Sequence, residues 1–399
     1  MTLNEICEFI VDCPHSTAKD EGKGFPLIRT PNIGKGRLIL EGVHRVSKEV
    51  YDKRNARAIP QDDDLILARE APAGNVAIIK NGEKVCLGQR TVLIRPDKNK
   101  VYPDFLAYYI LAPEQQYELL GSANGATVAH VNIPVIKALP VKLPEMEWQK
   151  KAAGILKTYD DLIENNQKQI KLLEEAAQRL YKEWFVDLRF PGYEDVHIVD
   201  GIVNGWETKS IGDICVRINA GGTPSRRKTS YWNDATVTWY KTGELLDCWL
   251  IDSEEKISIE GLTNSSAKLF PQNTILMAIY ASPTLGHLGV LSAEAACNQA
   301  SLCLLANEEI VSWQWLYYKL FELRDEFNSI AKGAGQQNIS ADTVKKKIVI
   351  IPEKSIIDKF TNTVSTIFEE RLKLQLENKL LVEARDRLLP KLMSGEIEL

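Results

Sequence analysis

The sequence predicts an α+β protein: two tandem-repeated globular domains joined by two long antiparallel helices with a coiled-coil-like seam. Three observations lead to this fold class. The chain has 399 residues, a length that favours two or three domains over one. Sequence matches recur at an offset of about 208 residues. After each half of this repeat, apolar residues return every seven positions, as they do in helices that pack on another helix.

The internal repeat consists of matches that keep their order along the chain. Leu143-Pro144-Glu145 corresponds to Ile351-Pro352-Glu353, and Leu65-Ile66-Leu67-Ala68 corresponds to Ile275-Leu276-Met277-Ala278. Because a near-constant offset joins these matches, we predict a tandem duplication. In each copy, short β-type runs such as Val92-Leu-Ile-Arg alternate with Gly, Pro and Asn, which indicates a mixed α/β globule. The predicted segments are a first globule at 1–145, a helical region at 146–190, a linker at 191–204, a second globule at 205–352 and a C-terminal helical region at 353–399.

The two helical regions carry the same apolar stripe when they are aligned by the repeat. The predicted seam residues are Tyr159, Asn166, Leu173 and Leu180 in the first helix and Phe360, Ile367, Leu374, Leu381 and Leu388 in the second. A long helix with a persistent stripe favours pairing with a like helix, and an antiparallel pair would relate the two copies by a pseudo-twofold axis. The alternative is that each helix packs only on its own globule.

Composition and charge exclude several protein classes. Hydrophobic residues make up 44% of the chain and charged residues 26%, which is typical of folded globular proteins. The net charge of −5 argues against a protein whose whole surface is basic, although DNA affinity depends on where the cations cluster. No apolar run is long enough to predict a membrane span, and the acidic start differs from a signal peptide, so we expect a cytoplasmic protein. The seven scattered cysteines predict reduced core residues.

Sequence motifs for catalysis are missing. The chain has no P-loop and no G-x-G-x-x-G, H-E-x-x-H or G-x-S-x-G pattern, nor does it have the Asn/Asp-Pro-Pro-aromatic element with which amino-methyltransferases hold a flipped base. The five histidines lack the spacing of a metal site. The acidic run Asp62-Asp63-Asp64 is more typical of a solvated turn before a buried strand than of a catalytic pair. The sequence therefore predicts a protein that is not an enzyme.

Polar loops, in contrast, are prominent in both copies. In the second copy, Gly221-Gly222 allows close backbone approach, hydroxyl groups and a cation cluster follow, and two glutamines lie in a Gly-rich stretch. Such side chains contact phosphates and base edges. The predicted DNA-binding residues of this copy are Thr223, Ser225, Arg226, Arg227, Lys228, Lys241, Gln336 and Gln337. Those of the first copy are Arg29, Asn32, Lys35, Arg37, Arg69, Gln89 and Arg90. Taken singly, each fits a solvated loop side chain better than a base reader, and Gln89, which recurs as Gln299, could instead hold the fold; only their clustering favours DNA contact.

Over essentially its full length the chain resembles the DNA specificity subunit of bacterial type I restriction-modification systems. The matching elements are Gly221-Gly-Thr-Pro-Ser with Tyr231-Trp232, Asn132-Ile133 and Asn338-Ile339, Leu180-Tyr-Lys-Glu-Trp-Phe, and Leu388-Leu-Pro-Lys-Leu-Met-Ser-Gly-Glu-Ile. One departure is that the first copy has Asp12-Cys-Pro-His-Ser-Thr in place of the Gly-Gly-Thr-Pro-Ser loop. The two domains should therefore read different sequences.

The resemblance implies two target-recognition domains that bind double-stranded DNA, each reading one half of a bipartite site. It also implies that the chain docks two adenine methyltransferase subunits and, through them, restriction subunits. S-adenosylmethionine, and ATP with magnesium for restriction, would belong to those partners, so we expect no cofactor in this chain. Two other functions remain open from sequence: a fused enzyme with its own weak nuclease or methyltransferase activity, and a coiled-coil scaffold that binds only proteins.

Overall fold

The computed structural model describes residues 1–121, 130–199, 202–280, 284–332 and 338–399. The chain forms two compact units. The first comprises Met1–Ile163 with Leu380–Leu399, and the second comprises Glu164–Lys379. The division falls inside both long helices, so each unit contains one globule and a part of each helix. Strands and helices are mixed in both units, which confirms the predicted α+β class.

The first globule has short strands followed by helices. Its strands in the described residues are β1 (Cys7–Asp12), β2 (Phe25–Ile28), β3 (Gly36–Arg37), β4 (Arg45–Val46), β5 (Leu65–Ala68), β6 (Val76–Ile78), β7 (Cys86–Leu87) and β8 (Thr91–Pro96). Its helices are α1 (Lys48–Arg54), α2 (Pro103–Leu111), α3 (Pro113–Gly121) and α4 (Ile133–Ala138), and the long helix α5 (Met146–Tyr181) comes next. A π-helical turn, Lys182–Val186, follows α5.

The second globule repeats this succession. Its strands in the described residues are β9 (Ile198–Val199), β10 (Ile202–Val203), β11 (Glu207–Ser210), β12 (Cys215–Ala220), β13 (Val237–Tyr240), β14 (Cys248–Leu250), β15 (Glu255–Ile257), β16 (Ile275–Ala278), β17 (Leu288–Leu291), β18 (Ala296–Cys297), β19 (Ser301–Ala306) and β20 (Ile348–Ile351). Its helices are α6 (Ile259–Thr263), α7 (Trp313–Glu322), α8 (Arg324–Lys332) and α9 (Ala341–Lys346), and they precede the long helix α10 (Lys354–Ser394).

Sheet topology shows the duplication directly. The larger sheet of the first globule has the order β1-β8-β5-β6-β3, and that of the second has the equivalent order β12-β19-β16-β17-β14. The smaller sheets, β4-β2-β7 and β15-β13-β18, correspond in the same way. The register of the first edge strand shifts at the same place in both copies, after Cys7 and after Cys215. Both globules therefore have the same topology.

The larger sheet is buried on both faces, which explains the continuous apolar runs. In β5, Leu65 and Leu67 contribute to the core that contains α2, whereas Ile66 and Ala68 contribute to the core on the opposite face. Alternate residues of a strand point to opposite faces, so a strand covered on both sides needs an apolar residue at every position. The strand β16 is buried along its whole length in the same way. The smaller sheets, each followed by a polar loop, belong to separate clusters.

In the second unit, a buried ion pair joins the two long helices. Arg371 of α10, 2% exposed, pairs with Glu174 of α5. Its Nη2 also donates to the main-chain oxygen of Asp247, at 3.1 Å, so the same guanidinium contacts the second globule. Seven residues further along α5, the ring of Tyr181 lies 6.0 Å from that of Phe360, which precedes Arg371 in α10. The helices are therefore antiparallel in this unit.

The first unit has an equivalent arrangement with different residues. The Nη1 of Arg385 in α10 lies 2.7 Å from Oδ1 of Asp160 in α5, and the hydroxyl of Tyr108 in α2 donates to Oδ2 of the same carboxylate at 2.6 Å. Ala152 and Leu156 of α5 share a core with Leu392 and Met393 of α10. Residues in the N-terminal part of α5 thus contact residues in the C-terminal part of α10, so the two helices are antiparallel in this unit too.

None of the predicted seam residues is exposed. Phe360, Leu374 and Asn166 are buried. The half-buried members are Tyr159, Leu173, Leu180, Ile367, Leu381 and Leu388. The prediction omitted the charged pairs, because a search for apolar periodicity passes over arginine and carboxylate side chains. The Nδ2 of Asn166 is buried and has no hydrogen-bond partner within the described part of the chain.

We expect the Glu174–Arg371 pair to be strongly coupled. Arg371→Met alone leaves a carboxylate buried without its counterion, and we expect it to lower the free energy of unfolding by about 3–5 kcal/mol. Adding Glu174→Leu removes that charge, and the double variant should lose clearly less than the sum of the single losses. Urea unfolding of the full-length single and double variants measures the coupling, and additive losses would contradict it.

A second prediction concerns the cysteines, all seven of which are described and carry free thiols. Burial raises the pKa of Cys7 and Cys215 to about 12 and that of Cys86 to about 11. Because only the thiolate reacts, and each pKa unit lowers its fraction tenfold, reaction at pH 8 should be slowed roughly a hundredfold or more. A colorimetric thiol reagent should titrate the native chain slowly and all seven cysteines promptly in urea. Prompt titration of the native chain would show that these thiols are accessible.

Candidate nucleic-acid interface

The loop after β12 is held close to the body of the second globule. A Cβ atom at Gly222 would lie 2.1 Å from the main-chain oxygen of Ser266, so no larger residue fits there. The indole Nε1 of Trp239 donates to the Gly222 oxygen at 3.0 Å. The hydroxyl of Thr223 donates to the side-chain oxygen of Gln299. The backbone of this loop is thereby positioned before any ligand arrives.

The cations that follow in this loop are exposed but differ in their surroundings. The guanidinium of Arg226 stacks on Trp232, 3.6 Å from the ring centroid, and pairs with Glu255. The Nζ of Lys228 donates to the hydroxyl of Tyr231 at 2.9 Å. Arg227 has no hydrogen-bond or ion-pair partner among the residues described. Aromatic side chains thus orient two of the three cations.

Lys241 lies at the end of β13, next to this loop. Its Nζ is 2.7 Å from Glu254 Oε2 and 3.1 Å from Glu255 Oε1. Hydrogen bonds to Glu254 and Glu255 raise the pKa of Lys241, and the hydrogen bond from Arg226 lowers the pKa of Glu255. The second globule therefore holds two of its cations against its own carboxylates.

In the first globule, three of the predicted residues meet at one cavity. Arg29, Gln89 and Arg90 line a cavity of about 400 Å³ together with His44 and Arg54. The side chain of Arg90 is 56% exposed and pairs with Glu70 at 2.8 Å. The structure thus brings together side chains from the loop after β2 and the loop before β8.

Other predicted residues of the first globule have internal contacts. Arg69 is 8% exposed, and its guanidinium binds the Val131 oxygen at 2.9 Å and Asp12 at 3.1 Å. Asn32 is 6% exposed, accepts a hydrogen bond from the Arg29 amide at 3.2 Å and donates to the Ile39 oxygen. In this structure both side chains hold loops in place. Their assignment to DNA contact stays a prediction, and these contacts argue for a supporting role.

The remaining predicted residues are dispersed. Lys35 lines a separate cavity of about 180 Å³ beside Asp160 and Arg385, apart from the cluster around Arg29. Arg37, in β3, is half-buried and has an interaction partner. Ser225 is exposed next to the cation cluster, and its main-chain oxygen accepts a hydrogen bond from Trp232. Gln336 and Gln337 lie outside the described residues.

Sequence reasoning missed residues whose importance depends on tertiary contacts. The sequence marks Trp232 only as part of a family element, yet the guanidinium of Arg226 stacks on its ring. Arg54 was overlooked because it lies in a short helix, whereas the fold buries its guanidinium beside Arg29 in the cavity. An aromatic residue a few positions after a cation cluster is a signal that could have found the first. No local signal marks the second.

The described residues lack two further features, a metal site and a membrane-spanning helix. No three side chains of His, Cys, Asp or Glu come together there in a way that could hold a metal ion. No described helix combines the length and the apolar character that a bilayer span requires.

Comparison with known proteins identifies the family. The model of the type I restriction modification DNA specificity domain matches residues 1–175 and again 204–378. The chain is 27% identical to the type I restriction enzyme MjaIX specificity subunit of Methanocaldococcus jannaschii, over 90% of this chain and 83% of that one. It is 25% identical to the HindI specificity subunit of Haemophilus influenzae, over 86% of this chain and 88% of that one.

A solved structure gives independent evidence on the fold. The S subunit of the type I restriction-modification system from M. genitalium superposes with a TM-score of 0.60 at 14% identity, covering 98% of this chain and 95% of that chain. At this identity the likeness supports the fold alone. The family model, which matches both copies of the repeat, shows that the chain belongs to the type I restriction modification DNA specificity family and is a non-catalytic specificity subunit, as its sequence predicted.

Proposed function

We propose that the chain reads a bipartite target in double-stranded DNA, with one half-site for each globule. The observation that carries this proposal is that one sheet plan occurs twice, with a different set of cations and amides in the loops of each copy. Arg29, Gln89 and Arg90 lie together in the first globule, and Arg226, Arg227 and Lys228 follow one another in the second. Two different sets of contact residues suit two different half-sites.

The partners in this proposal are two adenine methyltransferase subunits and, through them, restriction subunits. Each globule with its neighbouring helix segments would offer one docking surface for a methyltransferase. S-adenosylmethionine, and ATP with magnesium, would be bound by those partners, and this chain would carry no cofactor of its own. A cytoplasmic location belongs to the same proposal, since the target DNA is there.

The two alternative functions have less support. A fused enzyme would need a cofactor pocket or a set of catalytic side chains. Its only candidate in the sequence is the acidic run Asp62-Asp63-Asp64, and two of these carboxylates form ion pairs within the fold. Asp64 is 2% exposed and pairs with Arg95 at 2.7 Å, while Asp63 pairs with Lys80 and Lys98. A scaffold that binds only proteins would leave the stacked and exposed cations of the second globule unexplained.

The experiment that tests bipartite reading is methylation mapping with variants in one globule at a time. The full chain is assembled with its methyltransferase subunits, and methylated adenines are mapped on genomic DNA. Gln89→Ala with Arg90→Ala should relax or abolish recognition of one half-site, and Arg227→Ala with Lys228→Ala should affect the other. If both pairs of substitutions changed the same half-site, the assignment of one half-site to each globule would be wrong.

We expect the combined variant Arg226→Ala, Arg227→Ala, Lys228→Ala to bind DNA more weakly and with a flatter salt dependence. Each lost phosphate contact should lower the slope of log K against log salt by about 0.9. Fluorescence anisotropy with duplex DNA over a range of salt concentrations measures the slope for the complex with methyltransferase. The matched control is Lys373→Ala, an exposed cation of α10. An unchanged slope in the combined variant would mean that this loop faces away from DNA.

The purified chain alone should transfer no methyl group, because the family membership assigns it recognition without catalysis. Incubation with duplex DNA and radiolabelled S-adenosylmethionine should give background incorporation, and addition of the methyltransferase subunits should give adenine methylation. Incorporation by the isolated chain, persisting after further purification, would favour the fused-enzyme alternative.

A further inference from the structure

The cavity in the first globule is unusual in its charge. Its lining includes three arginines, Arg29, Arg54 and Arg90, together with His44, the hydroxyl groups of two threonines and the amide of Gln89. Within the described part of the chain, no aspartate or glutamate lines it. Of the three arginines, only Arg90 has a carboxylate partner among the described residues. Arg29 and Arg54 thus have no ion-pair partner among the described residues, although the Asp20 carboxylate, which does not line the cavity, interacts electrostatically with Arg29.

Arg54 is the more deeply buried of these two, with 6% of its surface exposed. Its Nε donates to the Leu87 oxygen at 2.6 Å and its Nη1 to the Ser16 oxygen at 3.0 Å. These carbonyl groups satisfy donors, but they do not neutralise the charge, and burial lowers the pKa of Arg54. Burial of a cation without an anion is costly, so a nearby anion would be stabilised here.

Arg29 supplies an independent indication that a ligand belongs in the cavity. Its Nε is buried and has no hydrogen-bond partner within the described part of the chain. The equivalent residue of the second globule is Lys241, since each precedes a short 3-10 helix at the end of the central strand of the smaller sheet. Lys241 is paired with Glu254 and Glu255, whereas Arg29 forms no ion pair with any described residue. At this position, the second globule pairs its cation with its own carboxylates, whereas the first globule leaves room for an external anion.

We infer that this cavity is an oxyanion site that takes a backbone phosphate of the bound DNA. The identity of the ligand as DNA rests on the proposed function, whereas the preference of the cavity for an anion does not. A guanidinium group donates two parallel hydrogen bonds to a phosphate, and the single negative charge of a backbone phosphate offsets part of the positive charge of Arg29 and Arg54. A neutral base edge would leave both charges uncompensated. The amide of Gln89, in the same lining, would then lie beside the clamped backbone.

The first arm of the test uses inorganic phosphate and no DNA. The melting temperature of the full chain is followed against phosphate concentration, with chloride keeping the ionic strength constant. Arg29→Ala should weaken the apparent phosphate affinity at least tenfold, and Arg54→Lys, which keeps the charge but loses the planar fork, should weaken it less. The matched control is Lys98→Ala, which removes a cation that pairs with Asp63 and does not line the cavity. General salt effects act on all variants equally and cancel in this comparison.

Arg29→Ala should also leave the melting temperature of the phosphate-free chain unchanged or slightly higher. A purely structural arginine would lower it. Since the buried Nε has no partner in the described structure, its removal relieves an unsatisfied group. This readout separates loss of a binding group from loss of the fold.

The second arm measures DNA binding by the full chain in complex with methyltransferase. Arg29→Ala should lower the slope of log K against log salt by about 0.9, and Lys98→Ala should leave it unchanged. Equal phosphate affinity in the wild type and Arg29→Ala would overturn the anion site, whatever the DNA result. A phosphate effect without a change in the DNA slope would show that the cavity takes a free anion, and it would overturn the assignment to the DNA backbone. If no variant bound DNA, the proposed function would fail, while the phosphate arm would still decide on the site.

Discussion

The structure depends on arginines of the second long helix that are buried against carboxylates of the first. A charge can be removed from water only if a partner and further hydrogen bonds compensate it, so such a contact tolerates few alternative arrangements. Arg371 binds Glu174 of α5 and a main-chain oxygen of the second globule at the same time. In the first unit, Asp160 receives both Arg385 and the hydroxyl of Tyr108. In each unit, one polar cluster thus fixes both the register of the two helices and the position of the globule against them.

This arrangement has consequences for how firmly the two long helices are held in register. Apolar residues such as Phe360 and Leu374 provide the burial that makes helix pairing favourable. Apolar contacts alone, however, tolerate sliding by a turn. A buried pair of arginine and carboxylate does not tolerate such sliding, because a shifted register would leave both charges buried and unpaired. The ion pairs therefore add precision to an association that hydrophobic burial drives.

The two globules share a topology but treat their cations differently. In the second, Arg226 and Lys241 are held by Glu254 and Glu255, so the proposed DNA contact would exchange internal ion pairs for phosphate contacts. In the first, Arg29 and Arg54 form no ion pair with a described residue, and the proposed phosphate binding would add the counter-charge that the cavity lining lacks. Duplication supplied two copies of one sheet plan, and divergence of the loops gave the two copies different electrostatics.

The sequence by itself determined the duplication, the α+β class and the two long helices, because repeats and apolar periodicity can be recognised in the order of the residues alone. It also located the cation cluster at 226–228. Only the tertiary structure decided which polar residues are free to bind a ligand. Arg69 and Asn32 carry the residue types of DNA contacts but are used to hold loops, and Arg54 enters the cavity from a helix that no pattern had marked. The sequence cannot decide this because the contacting residues are far apart along the chain. A side chain's role depends on partners such as Asp160 and Arg385, which are 225 positions apart and meet only after folding.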